Sequence, residues 1–338
     1  MESDSPPLSR DDVLAFQFSS WYPRYKHASI KSSIIRPLGE DFRRYMLADG
    51  VRIPDGADGT DEEENQDVDD SDDEEEPQER FAFPEVDAKI RQAIEDYGAV
   101  FPKLNFSSPK DASWILPSSS PLKCSAPSEV YMLLKSSDFV LHDVEEESVF
   151  EGCTSDAERE LSRYELELVL RKWYHVDPSR EFRCFVRSKK LLGISQRDQN
   201  FYPYMNEQET RKKIVDTIEK FWMREIQRTW STEDYTFDLI LTRDLQSGHI
   251  VDFNPYAPRT DPLLFTYDEL FMLHTDSHPT PVLKTIDSGS HKAATRSSPA
   301  NVHNMVPFEL LSMSSGQTLD DFTRDWQREI ARSMKEDV

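Results

Sequence analysis

The 338-residue sequence predicts an α+β fold, on three observations. Two stretches carry apolar residues at three- and four-residue steps, the period of an amphipathic helix: Val86, Ile90, Ala93, Ile94 and Tyr97, then Ile214, Ile218, Phe221, Trp222 and Ile226. Short runs rich in apolar and aromatic residues, at 99–105, 165–173, 181–187 and 191–195, read as strands. Thr236–Leu241 and Ile250–Phe253 read as a hairpin, because Asp244-Leu245-Gln246-Ser247-Gly248 supplies turn residues between them.

Taken in order, residues 1–12 are acidic and polar, which predicts a disordered N-terminus and no signal or transit peptide. The folded body is expected over 13–275. Val13–Phe18 is apolar, and Trp21, Tyr22 and Tyr25 follow, read first as core and second as a partner surface. Ser29–Leu38 alternates like a strand, and Glu40–Leu47 makes a short helix with Phe42, Tyr45 and Met46 on one side. From Asp55 to Glu79 the sequence holds 15 carboxylates and no cation. Charges this dense repel and extend, so 54–79 is expected to be a disordered insert. The alternative role for this run is to attract a basic surface on a partner. The helix from Pro84 ends at Gly98, a C-cap residue. Residues 129–134 suit a helix or a strand. Asn206–Trp230 is one long helix, and the Ser-, Thr-, Pro- and His-rich stretch 276–303 is a disordered linker. A helical tail over 304–338 is expected, with Phe322, Trp326, Ile330 and Met334 in phase. No internal repeat is visible.

Net charge is −24, and without the acidic stretch the remainder carries −9. Such a chain is a poor bulk binder of nucleic acid or anionic membrane and suits a basic protein partner. The three cysteines, Cys124, Cys153 and Cys184, are odd in number and widely spaced, against a disulfide scaffold or a zinc ribbon. No apolar run approaches the roughly 20 residues of a membrane span. A soluble intracellular protein is the expectation.

Two sets of residues point to chemistry. Asp252 and Asn254 are two apart in a strand and share a face, and pairing of the hairpin brings Asp238 to the same point. Two carboxylates and an amide form a hard, oxygen-only set that suits magnesium. The structural alternative is a hairpin-end Asp and an Asx turn before Pro255. The second set is cationic: Lys103, Arg171, Lys172, Arg183 and Arg197 all fall on predicted strands. A cation on a buried strand needs a partner, either a triphosphate or an internal carboxylate such as Glu165, Glu167 or Glu181. Phosphate-binding Gly-x-x-x-x-Gly-Lys and Gly-x-Gly-x-x-Gly loops are absent, and Asp252-Phe253-Asn254 lacks a preceding His-Arg-Asp loop.

Seven ordered motifs resemble one family. They are Phe18-Ser19-Ser20-Trp21-Tyr22, Phe101-Pro102-Lys103-Leu104-Asn105, Lys135-Ser136-Ser137-Asp138-Phe139, Leu168-Val169-Leu170-Arg171-Lys172-Trp173, Glu181-Phe182-Arg183-Cys184-Phe185-Val186, Gly193-Ile194-Ser195-Gln196-Arg197-Asp198 and Asp252-Phe253-Asn254-Pro255. Together, over about residues 13–275, they resemble the cell division cycle protein 123 family of the ATP-grasp superfamily. The resemblance implies two α+β lobes with ATP and magnesium between them. Asp238, Asp252 and Asn254 would hold magnesium, and Lys103, Arg183 and Arg197 would face phosphates. Backbone near Arg171, Lys172 and Trp173 would meet the adenine, and Asn105, Asp111 and Ala112 belong to the same nucleotide set. It also implies a cytoplasmic, monomeric chaperone that binds the gamma subunit of translation initiation factor 2 and promotes assembly of that heterotrimer. The Gly-rich flap of the superfamily is replaced by Ser107-Ser108-Pro109-Lys110-Asp111-Ala112, which offers fewer close backbone N–H groups to a phosphate. An ATP binder is therefore favoured over a turnover enzyme, and no catalytic residue is assigned. The alternatives are an ATP-dependent ligase or kinase-like transferase acting on a protein, and a nucleotide-independent acidic interaction module.

Overall fold

A computed structural model describes residues 8–59, 79–117, 120–154, 164–276 and 280–288. Most of the acidic insert, much of the expected linker and the whole C-terminal helix lie outside the described residues. The chain divides into two compact units, Met1–Asp198 with Tyr204–Thr285, and Gln199–Pro203 with Ile286–Val338. Every strand and α-helix described belongs to the first unit. Its helices are α1 (Arg10–Ala15), α2 (Phe18–Tyr25), α3 (Glu40–Leu47), α4 (Pro84–Tyr97), α5 (Pro127–Lys135), α6 (Asp138–Val144), α7 (Glu146–Val149), α8 (Gln208–Glu225) and α9 (Tyr267–Thr275). Its strands are β1 (Ser32–Ile35), β2 (Val100–Lys103), β3 (Leu168–Lys172), β4 (Glu181–Arg187), β5 (Lys190–Gln196), β6 (Tyr235–Leu241), β7 (Gly248–Asn254) and β8 (Val282–Lys284).

The strands form two sheets, ordered β1-β3-β2 and β7-β6-β4-β5-β8. The first is antiparallel, and its central strand β3 buries Leu168, Val169 and Leu170 completely. Helices α3 to α6 enclose its core with Phe42, Ile90, Tyr131 and Val140. Helix α4 starts on Pro84, where a missing N–H leaves no broken bond, and stops on Gly98 in the left-handed region at φ 81°. The ambiguous run 129–134 is helical, because Pro127 occupies the first turn of α5 and disfavours a paired strand. The aromatic residues of α2 belong to the core: Trp21 and Tyr25 are buried against Phe253.

The second sheet is antiparallel except where β8 joins β5 in parallel. The hairpin β6–β7 has the expected pairing. Three expectations need correction. Helix α8 ends at Glu225, not Trp230, because the N–H groups of both Ile226 and Gln227 converge on Trp222 O at 2.9 Å. Trp230 then stacks on Phe253 with ring centroids 4.0 Å apart, so the apolar period outlasts the helix. The expected linker 276–303 contains strand β8, where Val282-Leu283-Lys284 pairs in parallel with β5 and Lys284 meets Glu269. The expected disordered N-terminus overlaps α1, which opens with a capping box: the Ser9 side chain accepts from Asp12 N, and the Asp12 carboxylate accepts from Ser9 N. Among the described residues no helix is long and apolar enough to cross a membrane.

Gly193 in β5 marks a close approach of α9. A Cβ there meets Phe265 Cζ at 2.9 Å and Leu270 Cδ2 at 3.1 Å. Gly193→Ala is expected to destabilise the fold by about 1–3 kcal/mol through overpacking, read as a lower urea midpoint. An unchanged midpoint would mean that the Phe265 ring moves aside freely.

Candidate functional site

Strand register builds the site. Asp252 lies opposite Asp238 across β7 and β6, Asp238 opposite Arg183 across β6 and β4, and Arg183 opposite Ser195 on β5. Directly opposed residues share a face, so one polar row crosses the sheet. Its neighbour in β7, Phe253, faces the aromatic core with Trp21, Tyr25 and Trp230. That alternation turns Asp252 and Asn254 to the face opposite Phe253. From the three-stranded sheet, Lys103 at the end of β2 reaches Asp252 Oδ2 at 2.6 Å. Lys103 is buried to 1 % exposure, and Asp252 is partly exposed. The Phe18 ring lies beneath two cations, 5.4 Å from Lys103 Nζ and 5.5 Å from the Arg171 guanidinium carbon.

Arg183 holds Asp238 through two bonds, Nε to Oδ1 at 2.8 Å and Nη2 to Oδ2 at 2.9 Å, and its Nη1 donates to Asp261 O. Arg197 Nε lies 2.8 Å from Glu181 Oε1 and 3.5 Å from Asp238 Oδ2. Burial opposes ionisation of Asp238, but the charges of Arg183 and Arg197 outweigh it and hold the carboxyl well below the usual range. Arg171 differs from these paired cations. It is 3 % exposed, its Nε and Nη2 are buried without a hydrogen-bond partner, and it makes no ion pair among the described residues. Burial therefore pushes its guanidinium down from the ordinary value, against the attraction of Asp252 and Glu181.

Several residues expected at the nucleotide have side chains committed elsewhere. The Asn105 amide donates to Glu165 O and accepts from Glu167 N, clasping the approach to β3. Asp111 accepts from Ser137 Oγ and Phe139 N at the start of α6. Ala112 is buried in the core of the three-stranded sheet. The N–H groups of Lys172 and Trp173 donate to Lys31 O and Ala99 O, because β3 is the middle strand with a neighbour on each side. Lys172 extends over Tyr174, and Trp173 Nε1 donates to Pro121 O. Of the three candidate internal carboxylates, Glu181 pairs with Arg197, Glu165 with Arg36, and Glu167 accepts from Ser19 N. Three residues were missed. Lys110 lies 3.8 Å from Glu181, and Phe18 underlies the two cations. Fully buried Asp143 accepts from Phe106 N, Ser107 N and Ser107 Oγ. Only the acidic character of a residue inside the apolar run of α6 hinted at Asp143.

Among the described residues no group of three or more His, Cys, Asp or Glu is placed to hold a metal. The fold and site thus define an α+β protein in which two sheets meet at a buried cluster of cations and carboxylates. The D123 family profile matches residues 21–314, and the chain belongs to that family. A relative from Schizosaccharomyces pombe named translation initiation factor eIF2 assembly protein is 35% identical over 95% of this chain and 96% of its own length. One of the same name from Xenopus tropicalis is 41% identical, covering 78% of this chain and 79% of that protein. The solved structure of Cdc123 from Schizosaccharomyces pombe matches with a TM-score of 0.65 and 32% identity, over 82% of this chain and 98% of that one.

Proposed function

We propose that this protein is a cytoplasmic, monomeric assembly chaperone for translation initiation factor 2 that binds ATP with magnesium in an ATP-grasp-like cleft and engages the gamma subunit. The observation that carries the nucleotide part is Arg171, a buried guanidinium with two unpartnered nitrogens beside Lys103, a buried lysine. An anion with several acceptor oxygens satisfies such a group, as a polyphosphate does. The names of the relatives support the assembly role.

The donor set fits magnesium in part. Asp252 and Asn254 stand at partly exposed positions, but Asp252 already accepts from Lys103 at Oδ2 and from Phe253 N at Oδ1, and both Asp238 oxygens accept from Arg183, so a metal would have to share these carboxylates with the cations. Bound magnesium supplies charge neutralisation to a triphosphate. The chain's own residues do the rest. Lys103 and Arg171 present positive charge from one sheet, and Arg183 orients Asp238 on the other. Glu181 and Asp238 keep Arg197 beside them. Nucleotide binding between the sheets favours one arrangement of the two and biases it toward the partner without hydrolysis. The transferase reading is less well supported, since Ser107 N, the first flap N–H, is already held by Asp143 together with the preceding Phe106 N.

Calorimetric titration of ATP with and without magnesium, with Asp252→Ala alongside, tests the proposal. Magnesium-dependent binding that the variant loses is the expected result, together with ATP-dependent capture of the purified gamma subunit. Absence of both heat and thermal shift would overturn the nucleotide part. Gamma-subunit capture indifferent to ATP would detach that part from the chaperone role.

A further inference from the structure

A groove of about 600 Å³ lies where residues 26–31, the loop 174–180 and the far end of the β6–β7 hairpin meet. No residue of the cation cluster lines it. Among the described residues its walls hold Lys26, Lys31, Arg180 and Arg243, and no Asp or Glu. Three of the chain's eight histidines, His27, His175 and His249, line it as well. On a chain of net charge −24 this reverses the average surface. Two of the basic groups have internal partners: Arg180 lies 3.7 Å from Asp177, and His27 lies 2.9 Å from Glu225. Lys26, Lys31 and Arg243 are exposed and make no ion pair among the described residues. The floor is apolar, with Ile30, Val176, Ile240 and Leu241, and Tyr174 stands at one side with 47 % exposure.

We infer that this groove binds an acidic peptide segment of a partner protein, one whose carboxylates alternate with apolar side chains. The unpaired cations recognise the carboxylates, and the apolar floor takes a leucine or phenylalanine between them. Single-stranded nucleic acid fits less well. It binds through a continuous basic track on a chain that attracts polyanions, whereas this chain carries −24 and as a whole repels them, and among the described lining residues Tyr174 is the one large aromatic platform beside the three imidazoles. The inference stands apart from the nucleotide reading, because the two share no residue.

Fluorescence anisotropy with a short labelled peptide of Asp, Glu and Leu tests it, on the full chain. The peptide is expected to bind saturably and to weaken as salt rises. Lys31→Glu combined with Arg243→Glu, both at exposed positions, is expected to weaken it by about tenfold or more. Lys212→Glu with Lys213→Glu, exposed on α8 outside the groove, is expected to leave it unchanged. No binding by the wild-type chain, equal loss in both double variants, or tighter binding of an oligothymidine than of the peptide would each overturn the assignment.

Discussion

Arg171→Met is expected to raise the thermal stability of the nucleotide-free protein while weakening ATP binding roughly ten- to hundredfold. The two effects have one cause. A guanidinium at 3 % exposure, with Nε and Nη2 unpartnered, carries an uncompensated desolvation cost in the free protein. Methionine keeps a flexible apolar stem beside Phe18 and removes the charge. Hydrogen bonds to charged groups are worth about 1.5–3 kcal/mol, which sets the loss in affinity. Stability gained where binding is lost is the pattern of a site strained for its ligand. Differential scanning calorimetry with and without ATP-magnesium reads both quantities. A variant that melts lower and binds ATP as the wild type does would make Arg171 a structural cation and remove the main support for the nucleotide reading.

The second large effect concerns the Arg183–Asp238 pair. Arg183→Met leaves Asp238 at 2 % exposure with Arg197 at 3.5 Å and the charge of Lys110 to offset its own, and no hydrogen-bonded guanidinium. A stability loss of about 3–5 kcal/mol is expected from urea unfolding, because an unpaired buried charge costs more than the pair gains. The double variant Arg183→Met, Asp238→Leu is expected to recover most of that loss, since no charge remains to be buried. The sign of the pH dependence follows from the depressed folded pKa of Asp238. Its contribution is fully present above the ordinary carboxylate pKa of about 3.9 and is lost as pH falls below that toward the folded value. Without Arg183, burial is opposed only by the more distant charges of Arg197 and Lys110, and acid relieves part of the penalty. The stability gap between wild type and Arg183→Met should therefore narrow as pH falls. A gap constant from neutral pH to acid would mean that the loss comes from packing and not from charge.

Periodicity read from the sequence located most elements because their burial is one-sided. Helix α4 runs from Pro84 to Tyr97 with Gly98 as its cap, and α3 spans Glu40–Leu47. The hairpin itself was legible, but not its register: Leu241, Ile240 and Leu239 pair with Gly248, His249 and Ile250, a regular ladder would then set Asp238 opposite Val251, and a bulge there brings Asp252 opposite Asp238 instead. Other features depend on residues far apart in the chain. Strand β8 is three residues, Val282-Leu283-Lys284, inside a Ser-, Thr- and Pro-rich stretch, too short to show a period, and it exists because β5 offers an edge to pair with. The end of α8 is hidden because Ile226 and Trp230 bury themselves at the same period after the helix has stopped.

The sequence by itself determined which charged residues stand in apolar strands: Lys103, Arg171, Arg183, Asp238 and Asp252. A charge among apolar neighbours is visible in one dimension. Which charges pair was decided only in three dimensions. Lys103 meets Asp252 across 149 residues, Arg183 meets Asp238 across 55, and Arg171 has no ion-pair partner among the described residues. Burial makes every such pairing decisive, because low-dielectric surroundings reward a matched charge and penalise a lone one. That contrast separated Lys103, Arg183 and Arg197, each beside a carboxylate, from Arg171, which is poised for a ligand.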